Sequence, residues 1–174
     1  MKTPPREEVP IVAKAAKQHD HKTNAMRTLD AAGIAYEYRM FETDAALSGV
    51  EVAARLNLDP DCVFKTLVTQ GKSGEHYVFM IPVAEELDLK KAAHAVGEKA
   101  VAMIKAKELL PLTGYVHGGC SPIGMKKLFT TTVDETAQLF DTIMFSGGRI
   151  GCQIELPSDD LARVVPLAYA DLTA

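Results

Sequence analysis

The chain has 174 residues, and 19 Lys and Arg against 23 Asp and Glu give it a net charge of −4. That length suits a single domain around one sizeable core, and 47% hydrophobic with 24% charged residues excludes a disordered or fibrous chain. The acidic balance excludes a protein that coats nucleic acid by bulk electrostatics, which needs a basic surplus.

In chain order, residues 1–21 differ from the rest. Pro4, Pro5 and Pro10, a run of charges and His19-Asp20-His21 leave only Ile11–Ala16 with any apolar pattern. This reads as an N-terminal extension with one or two helical turns, followed by a domain over residues 22–174. Ala25, Met26, Leu29 and Ala32 recur at helical spacing ahead of Gly33, predicting a helix over 24–32. Ile34 to Phe41 alternate as a strand. Ser48-Gly49-Val50-Glu51 is a capping box opening a helix through Leu56. Val63–Thr69 and His76–Val83 read as strands joined by the hairpin loop Gly71–Gly74. Asp88 caps a helix over Leu89–Val96 that Gly97 stops. A short strand (Val101–Met103) and a short helix (Ala106–Leu110) follow. Phe129–Val133, Ile143–Ser146 and Gln153–Leu156 are further strands, Ser158 opens a last short helix, and Leu167–Leu172 adds an edge strand. Two strand pairs joined by hairpin-length loops imply a mixed, largely antiparallel sheet, hence an α+β fold.

The odd count of three cysteines (Cys62, Cys120, Cys152) excludes a complete internal disulfide framework. No apolar run approaches a membrane span, and no apolar region follows the first charges as in a secretory leader. A cytosolic domain is expected.

Three features could carry chemistry. Lys65 lies inside the apolar strand Val63–Val68; strand alternation puts it with Val63 and Leu67, and Thr66 on the other face. Such a lysine either snorkels at an edge or faces a polar cavity, aimed at a phosphate or a carbonyl. The second is His117-Gly118-Gly119-Cys120-Ser121-Pro122-Ile123-Gly124, a loop whose backbone can approach a ligand closely and offer N–H donors. Cys120 is either a nucleophile with His117 as base or a small packing residue. The third is Ser146-Gly147-Gly148-Arg149-Ile150-Gly151, between strands and without the Lys-Ser/Thr of a phosphate loop. It is either a tight hairpin or a second wall of the cavity Lys65 faces. Gln153 lies on the strand face opposite Cys152 and Ile154, where exposure alone would explain it. The five histidines are scattered, so no metal or cofactor is expected.

Several segments together carry a resemblance. Lys22-Thr-Asn-Ala-Met-Arg27, Val63-Phe-Lys-Thr-Leu-Val68, Glu86-Leu-Asp-Leu-Lys-Lys-Ala92 and Leu112-Thr-Gly-Tyr-Val116 occur in order. Gly118 to Gly124, Lys126-Lys127, Ser146-Gly147-Gly148 and Ile154-Glu155-Leu156 complete the series. This series resembles the YbaK/EbsC family of aminoacyl-tRNA deacylases, related to the editing domain of bacterial prolyl-tRNA synthetases. The resemblance covers residues 22–172. It implies a mixed sheet curled into a partial barrel with flanking helices, and clearance of mischarged tRNA, typically Cys-tRNA(Pro). It further implies that Lys65 binds the phosphate of the terminal nucleotide and orients the ester. The loop from Gly118 through Gly119, Cys120 and Ser121 to Pro122 would wall the aminoacyl pocket. Thr66 and Ser146-Gly147-Gly148 would line the rest, with Phe41 and Gln153 as further substrate-binding positions. The acceptor end of a charged tRNA is the implied partner, with a prolyl- or other aminoacyl-tRNA synthetase as a further one. Alternatives are an Ala- or Ser-specific deacylase and a non-catalytic module binding an aminoacyl or nucleotide ligand.

The chain departs from the family pattern around this pocket. Phe41 stands where Tyr is frequent, Cys120 where an aliphatic residue is usual, and Gln153 where a carboxylate is common. Met125 and Phe129 replace the usual Gln and Pro. Charge is also uneven along the chain: residues 134–174 hold seven acids against Arg149 and Arg163, whereas residues 109–133 hold no acid and two lysines. That pattern suits a protein that grips one terminal nucleotide and holds the tRNA body weakly.

Overall fold

The computed structural model describes Val12–Ala13 and residues 22–174. Its helices begin and end where local chemistry says they should. Helix α1 (Asn24–Ala31) starts at Thr23, whose hydroxyl accepts from the Met26 N–H at 3.2 Å. In α2 (Gly49–Arg55) the Glu51 N–H donates to Ser48 Oγ at 3.2 Å, and the Ser48 N–H donates back to the Glu51 carboxylate at 3.4 Å. Asp88 accepts from the Lys90 and Lys91 N–H groups to open α3 (Leu89–Val96), which Gly97 ends in the left-handed region at φ 73. Helix α4 (Ala106–Thr113) outruns the expected Leu110. Pro111 removes only the N–H that would reach the carbonyl of exposed Lys107, which water can satisfy, and the helix continues to Gly114.

The strands are β1 (Val12–Ala13), β2 (Glu37–Met40), β3 (Phe64–Gly71), β4 (His76–Pro82), β5 (Val101–Met103), β6 (Thr130–Asp134), β7 (Ile143–Ser146), β8 (Cys152–Leu156) and β9 (Leu167–Ala170). The expected α+β fold with mixed pairing is present, but the strands divide into two sheets rather than one. One is antiparallel with order β1-β2-β8-β7; the other has order β5-β3-β4-β6-β9, with β4-β6 and β6-β9 parallel. An isolated bridge between Val63 and Met144 joins them, and among the described residues neither sheet closes on itself. Short segments at Pro60–Cys62, Glu135–Leu139 and Ser158–Arg163 are 3-10 turns, so the helix expected at Ser158 is tighter than an α-helix. The helical turn expected around Ile11–Ala16 is also corrected: Val12–Ala13 pair antiparallel with Glu37–Tyr38. Ile11 and residues 14–21 lie outside the described residues.

The largest apolar cluster draws Met26 and Leu29 from α1, Phe145 and Ile154 from one sheet, and Met80 and Val133 from the other. Each such side chain contributes about 1.5–3 kcal/mol on burial, which holds both sheets on a common core. Buried Asp134 ties the C-terminus to it, accepting from the Leu172 N–H at 3.0 Å and from the Thr136 N–H and hydroxyl.

Candidate functional site

The site begins with an unfinished strand pairing. β3 pairs with β4 from Phe64 to Gln70, but with β5 only from Thr69 to Gly71. From Phe64 to Leu67 its other edge has no strand partner among the described residues. The Ile104 N–H donates to the Val68 carbonyl at 3.2 Å, which fixes that edge as the side Val68 faces. Backbone groups alternate sides along a strand, so the N–H and C=O of Thr66 are turned to the same open edge.

A cavity of ≈ 560 Å³ occupies this edge. Its walls are β3 from Phe64 to Val68, the start of α2 at Ser48–Val50, and the β5–α4 junction from Met103 to Ala106. His117, Gly118 and Cys120 come from the first glycine loop, Ser146 and Gln153 from β7 and β8. The charged or titratable side chains on these walls are Lys65, Lys105, His117 and Cys120, and no carboxylate is among them. Lys65 is half-buried and makes no ion pair among the described residues. The Thr66 hydroxyl is buried with no hydrogen-bond partner among the described residues. A cationic wall with an unsatisfied hydroxyl suits an anionic, polar ligand.

Of the residues singled out in the sequence, Lys65, Thr66, Gly118, Cys120, Ser146 and Gln153 border the cavity; Phe41, Gly119, Ser121, Pro122, Gly147 and Gly148 do not. The latter stand behind the walls. Phe41 packs with Val52, Val63 and Met144, and its N–H donates to the Gly151 carbonyl at 2.9 Å. Gly119 is pressed against the second glycine loop, where a Cβ would lie 2.9 Å from Ile150 N and 3.0 Å from Arg149 C. Ser121 and Pro122 are buried, with Ser121 Oγ accepting from the Ile123 N–H. Gly148 lies against the Tyr115 ring, whose hydroxyl donates to the Ile123 carbonyl at 2.6 Å.

Most glycine amides thus bind the loops to themselves rather than to a ligand. The Gly119 N–H donates to Val116 O, that of Gly147 to Cys152 O, and that of Gly148 to Ser146 Oγ. The amides of Gly118 and Cys120, both in wall residues, have no acceptor among the described residues. Burial pushes the Cys120 thiol up to about 12, so it stays protonated at neutral pH and is a poor nucleophile. The packing reading of Cys120 is the one the geometry favours. For Gln153 it is the exposure reading that fails: the residue is only 7% exposed and borders the cavity, paired with Ser146 and Arg39 on the neighbouring strands.

Two parts of the wall escaped the sequence reading, the start of α2 and the β5–α4 junction with Lys105. Gly49 gave the one available signal: a Cβ there would run into the Val83 side chain, so α2 approaches the end of β4 closely. No group of three or more metal-ligating side chains occurs among the described residues, and His19 and His21 lie outside them. No helix among the described residues is long and apolar enough to cross a membrane.

Comparison with known proteins joins this geometry to a family. Residues 43–164, which include every wall segment, match the family model for the aminoacyl-tRNA editing domain. A protein of Enterococcus faecalis named as a Cys-tRNA(Pro)/Cys-tRNA(Cys) deacylase, EbsC, is 42% identical over 160 residues, covering 91% of this chain and 98% of its own. Two solved structures share the fold at 22% identity and 87% coverage of this chain. One, described only as hypothetical, has a TM-score of 0.78 over all of its length. The other, described as a trans-editing enzyme for prolyl-tRNA synthetase, has a TM-score of 0.77 over 95% of its length. The chain belongs to the aminoacyl-tRNA editing domain family.

Proposed function

We propose that this chain is a trans-editing aminoacyl-tRNA deacylase whose substrate is Cys-tRNA(Pro), with the cavity at the open edge of β3 as its active site. The observation that carries this reading is Lys65, a half-buried lysine without an ion pair among the described residues, on a wall that holds no carboxylate. Its ammonium grips the phosphate of the terminal nucleotide and so fixes the ester in the cavity. The name of the Enterococcus faecalis relative supports the substrate class.

An aminoacyl ester is already activated, so orientation supplies most of what the reaction needs. Correct placement of a nucleophile against a carbonyl is worth up to about 7–11 kcal/mol. In our reading the nucleophile is the cysteine thiol of the substrate. Its sulfur bonds to the ester carbonyl carbon, the bond from that carbon to the ribose oxygen breaks, and the thiol proton passes to the ribose oxygen. The products are tRNA and a cyclic thioester, which water opens to cysteine. Amides of Gly118 and Cys120 are the donors for the developing oxyanion, each worth about 2.7–4 kcal/mol where alignment is good. Thr66, Ser146 and Gln153 set the polarity of the remaining wall, and Cys120 shapes it as a neutral thiol. Phe41, Gly119, Ser121, Pro122, Gly147 and Gly148 hold those wall residues in place from behind.

The catalytic domain is residues 22–174, with 1–21 as an extension, and its two bridged sheets are a partial barrel opened at β3. The protein works in the cytoplasm on charged tRNA, without a metal, and a synthetase is the natural source of that tRNA. Release of labelled amino acid from Cys-tRNA(Pro), Cys-tRNA(Cys), Ala-tRNA(Pro) and Ser-tRNA(Pro) tests the reading. Cysteine release from tRNA(Pro) is expected at least about tenfold faster than alanine release, since alanine has no thiol. Equal rates would overturn thiol attack in favour of water. No release from any of the four would overturn the deacylase.

A further inference from the structure

A second depression adjoins the cavity. This groove of ≈ 470 Å³ runs over β5, bordered by Gln70–Lys72, Ala100–Met103, Lys105 and Glu108. It is continuous with the cavity, because Met103, Ile104 and Lys105 border both. Lys105 therefore stands at the junction and Lys72 farther along. Neither makes an ion pair among the described residues. The one carboxylate present, Glu108, is engaged in accepting the Lys105 N–H at 2.8 Å at the start of α4. Between the two lysines lies Met103, 47% exposed, offering an apolar thioether surface.

Proteins hold single-stranded nucleic acid with phosphates on a cationic groove and bases stacked on flat apolar side chains, usually aromatic rings; here the groove supplies two cations and, in place of a ring, the exposed Met103 thioether. We infer that this groove takes the nucleotides preceding the terminal one in the single-stranded acceptor end of the tRNA. Phosphates lie at Lys105 and Lys72, and a base covers Met103. The inference rests on the deacylase reading, since that reading places the terminal nucleotide at Lys65. It gives a protein with a net charge of −4 a local cationic path for one strand. Glu108 keeps the groove weaker than a pure cation track.

Lys72→Glu tests it, because Lys72 borders the groove and not the cavity. Two substrates are compared, full-length Cys-tRNA(Pro) and 3′-O-cysteinyl-adenosine 5′-monophosphate, which ends before the groove. The KM for the tRNA should rise about tenfold with kcat little changed, while kcat/KM for the short ester stays at the wild-type value. Lys72→Ala should also flatten the dependence of log KM on log salt by about 0.7, the share of one single-strand phosphate. Lys90→Glu makes the same charge change on α3 outside the groove and should leave the KM for tRNA unmoved. An unchanged KM in Lys72→Glu, an equal loss on both substrates, or an equal rise in Lys90→Glu would each overturn the groove. None of these touches the deacylase reading, which falls only if the wild-type protein releases no amino acid.

Discussion

The β3 wall of the cavity and the glycine-loop wall differ in what they ask of their residues. Along β3, Lys65 and Thr66 present side chains on an unpaired strand edge, held by a ladder to β4 that their replacement leaves intact. The glycine loops present backbone. Gly119 is pressed onto Arg149 and Ile150, Gly148 onto Tyr115, and their amides close turns within the loops. Chemistry can therefore change on one wall without loss of the fold, whereas shape on the other cannot change without it. Ranked by effect on stability, substitutions on the two walls should separate cleanly.

The largest loss is expected for Gly119→Val. Its Cβ would meet backbone at 2.9–3.0 Å, where no flexible side chain can yield, and such overpacking costs about 3 kcal/mol. Urea denaturation measures it, and an unchanged midpoint would show that the loops are free to part. Gly118→Ala follows. Its φ of +84 and a contact of 2.7 Å with the Ala46 methyl both oppose a Cβ, for a cost of about 2 kcal/mol. Gly33, at φ +68 with nothing within 4 Å, is the control for the torsion alone; Gly33→Ala should cost about 1 kcal/mol.

Thr66→Val has the opposite sign. Its buried hydroxyl lacks a partner among the described residues, so an isosteric methyl should stabilise by up to about 1 kcal/mol. The same change should lower kcat/KM about tenfold by removing a group that the substrate satisfies. A variant that is less stable and fully active would place the hydroxyl on the folding side of the comparison.

Titration separates the walls as well. Burial raises the thiols of Cys120 to about 12 and Cys152 to about 11, against an ordinary 9.0. Their folded forms hold protons that the unfolded chain has lost, so their contribution is intact below pH 9 and declines as pH rises from there through 11 and 12. Melting temperature should fall between pH 8 and pH 10.5, and less steeply in Cys120→Ala. Between pH 6 and 9 the Cys120 thiol stays neutral, so Cys120→Ser should retain activity with no change in the pH profile over that range. Loss of activity in that variant would revive Cys120 as a nucleophile.

What the sequence disclosed follows the range of the interactions involved. The ends of α2 and α3 were legible because Ser48, Glu51, Asp88 and Gly97 act within four residues of themselves. Lys65 was legible because a charge inside an apolar strand needs an explanation. The partition into two sheets was not, since β4 meets β6 in parallel only after the chain has run through α3, β5 and α4. Nor could alternation alone assign the face of Gln153, because both faces of β8 are covered. Lys105 and the start of α2 reach the cavity through tertiary packing, and a capping box says nothing about which void a helix start will face.

The central claim is that β3 carries the chemistry and Lys65 anchors it, and Lys65→Ala examines both halves in one protein. Cysteine release from Cys-tRNA(Pro) and the urea midpoint should be measured on the same sample. Release is expected to fall about 10²-fold, the loss typical when a reacting ester is misplaced by about 1 Å, with stability within about 0.5 kcal/mol of wild type. Wild-type release from a folded Lys65→Ala protein would contradict the account.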